Sequence, residues 1–106
     1  MTFRSFCPLD RLPPDEPVPF VADGQRIAVV RVDDEVFAVS DQCTHADWPM
    51  CDGYVEDDVI VCPVHGARFS LRTGEVLMAP GDAPLASYPV RIVDGEVQVD
   101  TTPREY

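Results

Sequence analysis

An all-β fold, a small antiparallel sandwich or barrel, is predicted for this chain from three features: scattered prolines, short β-branched apolar runs, and the Asp-Gly pairs between them. Eleven prolines, about twice the average frequency of roughly 5%, stand at 8, 13, 14, 17, 19, 49, 63, 80, 84, 89 and 103. Each removes a backbone donor and interrupts any long helix, which excludes a helical bundle.

Taken in order, Cys7 falls in an expected first strand. Leu9 to Leu12 is given one helical turn, because Asp10 and Arg11 are poor strand formers, and Pro13-Pro14 ends it. Arg26 to Val32 and Val36 to Val39 are β-branched and aromatic, and Asp33-Asp34-Glu35 divides them, so they are read as a hairpin. Asp23-Gly24, Asp52-Gly53 and Asp94-Gly95 each supply a pair tolerant of positive φ. The last of these separates strands at Val90 to Val93 and Val97 to Val99. Residues 41–84 differ, being richer in Cys, His, Gly and Pro, with brief strand candidates only at Val59 to Val61 and Arg68 to Ser70. Loops there are expected to build a site on the β scaffold. With no repeat, low-complexity tract or linker, residues 1–106 are read as one domain, the segment of about 41–84 being inserted in a β base.

A chain of 106 residues and 11.7 kDa has the size of one domain, too short for a catalytic domain plus a substrate domain. Its 45% hydrophobic and 25% charged residues permit a core of modest extent, which a cofactor would supplement. Eight Arg and no Lys oppose nineteen Asp plus Glu, for a net charge of -11 and a pI near 4.2. Phosphate backbones and anionic headgroups would repel such a chain, so nucleic acid and membrane surfaces are excluded as partners. The longest apolar runs, such as Val59 to Val64, fall far short of the roughly 18 to 20 residues that span a bilayer, and the N-terminus has acids and prolines where a signal peptide needs an apolar stretch. A cytoplasmic location is expected. In that reducing compartment Cys7, Cys43, Cys51 and Cys62 are read as metal ligands or buried groups rather than as two disulfides.

Both histidines of the chain lie beside a cysteine, as Cys43-Thr44-His45 and Cys62-Pro63-Val64-His65. Two thiolates and two imidazoles suffice to ligate a metal centre, and a strand-like connection would bring the two loops face to face at one end of a sheet. Pro63 stiffens the second loop, and Gly66 lets the backbone pass close to the centre.

The C-x-H box, the gap after it and the C-P-x-H-G box resemble the signature of Rieske iron-sulfur proteins. The likeness extends through Asp52-Gly53-Tyr54, Gly66-Ala67-Arg68-Phe69, Thr73-Gly74 and Ala79-Pro80, over about residues 20 to 100. It implies an all-β Rieske fold, an antiparallel β-sandwich base with a smaller cluster-binding subdomain. It also implies one [2Fe-2S] cluster, with Cys43 and Cys62 on the inner iron and His45 and His65 on the outer iron. Loops around residues 43 to 48, 62 to 67 and 78 to 81 would form the tip. Two ferric ions, two sulfides and two thiolates sum to zero charge, so such a cluster takes up an electron more readily than a four-thiolate one, and its free imidazole nitrogens should hold their protons more tightly once it is reduced.

High-potential members of that family carry an extra cysteine in each box and hydroxyl side chains that donate to the sulfurs. Here Trp48 and Val64 stand for the cysteines, and Ala67 and Phe69 for the hydroxyls, which lowers the expected potential. What remains resembles the soluble ferredoxin component of a bacterial aromatic ring-hydroxylating dioxygenase. The resemblance implies a one-electron carrier, not a catalyst, with a flavin-dependent ferredoxin reductase and a terminal oxygenase component as partners.

The alternatives are the small subunit of an assimilatory nitrite reductase and a structural zinc-binding module. Zinc modules usually pair C-x-x-C with two spaced histidines, whereas each box here mixes one Cys and one His. Pro49-Met50-Cys51-Asp52-Gly53 matches part of the CDGSH iron-sulfur signature, but Val55 stands where that pattern needs histidine and His45 where it needs cysteine. Cys51 is therefore read as a small buried group and Cys7 as packing. Trp48 either shields the cluster or meets a partner. Pro80, after Met78 and Ala79, resembles a loop that excludes water from the cluster. Arg68 is read as one half of an ion pair, and Asp47, Asp52, Glu56, Asp57 and Asp58 as a solvated face with steering of basic partners as its functional counterpart.

Overall fold

The computed structural model describes residues 2–42, 49–63, 66–78 and 84–103. Their order is β1 (Phe3–Pro8), a short 3-10 turn (Leu9–Arg11), β2 (Val18–Ala22), β3 (Gln25–Val32), β4 (Glu35–Ser40), a second 3-10 turn (Met50–Asp52), β5 (Tyr54–Glu56), β6 (Val59–Val61), β7 (Arg68–Ser70), β8 (Val76–Met78), β9 (Ser87–Tyr88), β10 (Val90–Val93) and β11 (Glu96–Asp100). All strand pairings are antiparallel, in sheets ordered β1-β11-β10, β2-β3-β4-β9 and β5-β6-β7-β8. Among the described residues no helix is long and apolar enough to cross a membrane.

The run from Ile27 to Val30 is buried without interruption, which explains why it reads as continuously apolar rather than alternating. Side chains alternate across a strand, and β3 divides its load accordingly. Ile27 and Val29 join Leu12, Ala38, Tyr88, Val97 and Val99 in one core, against the β1-β11-β10 sheet. Ala28 and Val30 join Val39, Met50, Ile60, Cys62, Ala67, Phe69, Leu71 and Leu85 in a second, against the β5-β8 sheet. The central sheet is thus covered on both faces, and the small sheet rests on one of them.

Two hairpin turns follow the sequence reading: Asp23 and Gly24 take φ of 51° and 75°, and Asp94 and Gly95 take 51° and 78°. Gly53 does not. It closes the second 3-10 turn in extended conformation, at φ -86° and ψ -155°, and the two-residue turn lies instead at Asp57-Asp58, where Asp57 has φ 53°. Strands β2, β5, β8 and β9 are found in addition to those expected from the sequence. Strand β2 even contains Pro19, tolerated because, among the described residues, β2 pairs only with β3 and forms the edge of its sheet. Cys7 lies in β1, partly buried against the base core, as the sequence reading expects.

Candidate metal centre

Strands β5 to β8 lie in sequence between β4 and β9; the first sequence box precedes β5, and the second falls between β6 and β7. Cys43, His45 and His65 lie outside the described residues, as do Asp47, Trp48, Val64, Ala79 and Pro80; Cys62 is described. The structure therefore reports on how the two boxes are rooted.

The first root is a closed neck. Gln42 and Pro49 form an antiparallel bridge across residues 43–48. Asp41, just before it, donates its N–H to the Arg26 carbonyl at 2.9 Å and accepts the Met50 N–H on its own carbonyl. Its side chain, only 6% exposed, accepts the Cys51 N–H at 2.8 Å through Oδ1. Burial pushes the Cys51 thiol far above its ordinary range, and its hydrogen bond to the Asp41 carboxylate pushes further the same way. Cys51 is partly buried against the core, in keeping with its reading as a small packed group.

The second root is the start of the β6–β7 connection. The Cys62 N–H donates to the Ala67 carbonyl at 2.8 Å, continuing the ladder one step past β6. Gly66 takes φ +72° with no neighbour around its missing Cβ, so backbone conformation is what calls for glycine there.

The two roots share one core. Met50 (0% exposed), Cys62 (1%) and Ala67 (0%) are buried in the same apolar cluster, beneath Phe69 and Ile60. Gly53 clamps them together. A Cβ built on it would collide with the Val61 carbonyl oxygen and lie 3.1 Å from the Val61 carbonyl carbon and 3.2 Å from the Met50 oxygen. The backbone after the first box therefore runs hard against the residue preceding Cys62, a contact open only to glycine.

Electrostatically the surroundings are acidic. Asp52, Glu56 and Asp57 are exposed. Arg68 pairs with Glu56 at 3.3 Å, the ordinary ion pair expected of it, and Arg72 binds both Glu35 and Asp58 at 3.0 Å while stacking 5.0 Å above the Phe37 ring. Glu35 begins β4 and Asp58 belongs to the β5–β6 turn, so Arg72 ties the small sheet to the base. Tyr54, Leu77 and Met78 leave about half their surface in water.

Among the described residues no three His, Cys, Asp or Glu side chains gather as a metal site, three of the four expected ligands lying outside them. The donor that is described suits the cluster implied by the motif, since a water-shielded cysteine at a stapled hairpin root fits a ligand of a buried iron. Sequence reasoning missed Asp41 and the steric role of Gly53. One was hidden among nineteen acidic residues and the other resembled a turn glycine.

The Rieske [2Fe-2S] domain family matches residues 3–89, most of the chain and both boxes with their roots. The chain belongs to this family. Its relatives include the biphenyl dioxygenase ferredoxin subunit of Pseudomonas sp. (strain KKS102), 43% identical over 94% of this chain and 93% of that one. The anthranilate 1,2-dioxygenase ferredoxin subunit of Burkholderia cepacia is 44% identical over 87% and 85%. Among solved structures, one of the complex of reduced oxygenase and oxidized ferredoxin in carbazole 1,9a-dioxygenase superposes with a TM-score of 0.93 at 30% identity, covering 98% of this chain and 97% of that one. The Rieske protein described here is thus an electron carrier rather than a catalyst, and its prosthetic group is a Rieske-type [2Fe-2S] cluster.

Proposed function

We propose that this Rieske protein is the ferredoxin of an aromatic ring-hydroxylating dioxygenase system, taking electrons singly from a flavin-dependent reductase and delivering them to a terminal oxygenase in the cytoplasm. The observation that carries this reading is the end-to-end likeness to the biphenyl dioxygenase ferredoxin subunit, 43% identical over more than nine-tenths of both chains. The match runs over nearly the whole length of that ferredoxin subunit.

In this reading the whole chain is one domain whose 41–84 segment bears the cluster, with Cys43 and Cys62 holding one iron and His45 and His65 the other. When bound, the cluster supplies one-electron chemistry. The protein's own part is placement and shielding. Met50, Ala67, Ile60 and Phe69 form an apolar floor beside Cys62, which keeps water from the thiolate side. Ala67 and Phe69 offer no hydroxyl donor to the cluster sulfurs, which leaves added negative charge unsupported and holds the potential low in the Rieske range. Exposed surface acids such as Asp52 and Asp57 speed encounter with basic docking surfaces.

The test combines two measurements. The reduced protein is expected to give the electron paramagnetic resonance spectrum of mixed nitrogen and sulfur ligation, and Cys43→Ala to lose the visible absorbance of the cluster. Unchanged absorbance in Cys43→Ala would overturn the ligand assignment. Failure of the intact holoprotein to support turnover when combined with a ring-hydroxylating oxygenase and its reductase would overturn the physiological role.

A further inference from the structure

We propose that the Asp41 carboxylate is a positioning residue for the cluster, holding the Met50–Gly53 turn as a spacer that fixes the distance between the two ligand loops. The inference rests on the ligand reading above and adds to it the device that sets the geometry.

Asp41 is engaged in three directions. Its N–H is tied to the Arg26 carbonyl in β3, its carbonyl receives the N–H of Met50, and its carboxylate receives the N–H of Cys51 at 2.8 Å. Residues immediately before the 43–48 loop are thereby locked to residues immediately after it, and both to the base. The next contact is steric, because Gly53 lies against the Val61 carbonyl. Val61 directly precedes Cys62, whose N–H is itself held by Ala67. A continuous path of short contacts thus runs from Asp41 through Cys51 and Gly53 to Cys62 without passing through any ligand outside the described residues.

A buried carboxylate suits this task better than a neutral group. Hydrogen bonds to a charged acceptor are shorter and stronger, and loss of the acceptor leaves the Cys51 N–H unsatisfied in a partly buried position. The geometry at the neck is set by one acceptor and one glycine. Residues that act only through overall stability would sit anywhere in the two cores. Asp41 sits at the neck of the loop.

The experiment uses reconstituted holoprotein of the parent, Asp41→Asn, Asp41→Ala and Cys62→Ser. It measures the g values of the reduced protein and the rate of iron loss to an excess of chelator. Asp41→Ala is expected to shift and broaden the resonance and to lose iron about ten-fold faster, the scale of one lost charge-assisted hydrogen bond. Asp41→Asn keeps an acceptor oxygen and should fall between it and the parent. A purely structural role would lower the melting temperature of both variants and leave the g values in place, and that result overturns the proposal. Should Asp41→Ala yield no folded holoprotein, Asp41→Asn decides: g values and iron loss equal to the parent's also overturn it. A Cys62→Ser protein that keeps the parent spectrum would instead overturn the ligand reading, which separates the two failures.

Discussion

Replacing Gly53 by alanine adds a single methyl group, and the structure says where it goes. The φ of -86° is open to any residue, so backbone conformation contributes no penalty. The penalty is steric. The new Cβ overlaps the Val61 carbonyl oxygen and crowds the Met50 oxygen at 3.2 Å, both of them backbone atoms without a rotamer to yield. Relief requires the turn and β6 to separate by about 1 Å or more, to reach normal contact distances. That opens the core between Met50 and Cys62. Overpacking of this kind costs about 1–3 kcal/mol, and here the upper part of that range applies because backbone must move on both sides. For a domain near this size, where each kcal/mol moves the midpoint by about 4–8 °C, a cost on the order of 2–3 kcal/mol should make Gly53→Ala melt about 8–24 °C below the parent. Thermal unfolding of the holoprotein followed by far-ultraviolet circular dichroism and by cluster absorbance is the assay. Gly24→Ala serves as the comparison, since its Cβ meets nothing and its cost is confined to a φ of +75°. A Gly53→Ala protein as stable as the parent would refute the claim that the turn is pressed against β6.

Acid should weaken the base sheet through Asp100. The Thr102 N–H, followed by the Thr2 N–H, holds the Asp100 carboxyl below its ordinary value of 3.8. A carboxylate depressed in the folded state stabilises above its unfolded pKa, and that contribution disappears as pH falls through the lower folded value. Asp100→Asn should therefore lower the melting temperature at about pH 7, with the gap to the parent closing as pH falls through the depressed folded value; a gap that widens on acidification counts against this. Arg72→Ala removes the ion pairs to Glu35 and Asp58 and the stacking on Phe37, all on the surface, so a small loss of stability is expected. The difference from the parent should shrink as salt is raised from about 0.05 to about 1 M, as screening demands. Removal of the cluster by chelation should lower the midpoint of unfolding, because the ligands are preorganised only in the folded chain; equal midpoints for holo and apo protein would contradict that coupling.

The strands legible in the sequence share a physical cause. Arg26 to Val32, Val36 to Val39, Val90 to Val93 and Val97 to Val99 are dense in β-branched residues, and Asp-Gly or Asp-Asp marks their turns. Strands β5, β8 and β9, of only two or three residues, have no periodicity to detect and exist because a neighbour supplies hydrogen bonds. Arg68 behaves as its residue type suggests, pairing with Glu56, while Arg72 links two separate sheets, which no local pattern reveals.

The sequence by itself determined a β-rich chain, through β-branched runs on either side of the two Cys-His boxes, and those boxes carried the resemblance to Rieske proteins, because ligand chemistry depends on residue type and spacing. Tertiary structure alone decided that Asp41, one acid among many, staples the loop neck, and that Gly53 serves by close approach instead of by turning the chain. Such roles depend on which backbone atoms from distant segments come into contact. That is a property of packing, and the local sequence does not encode it.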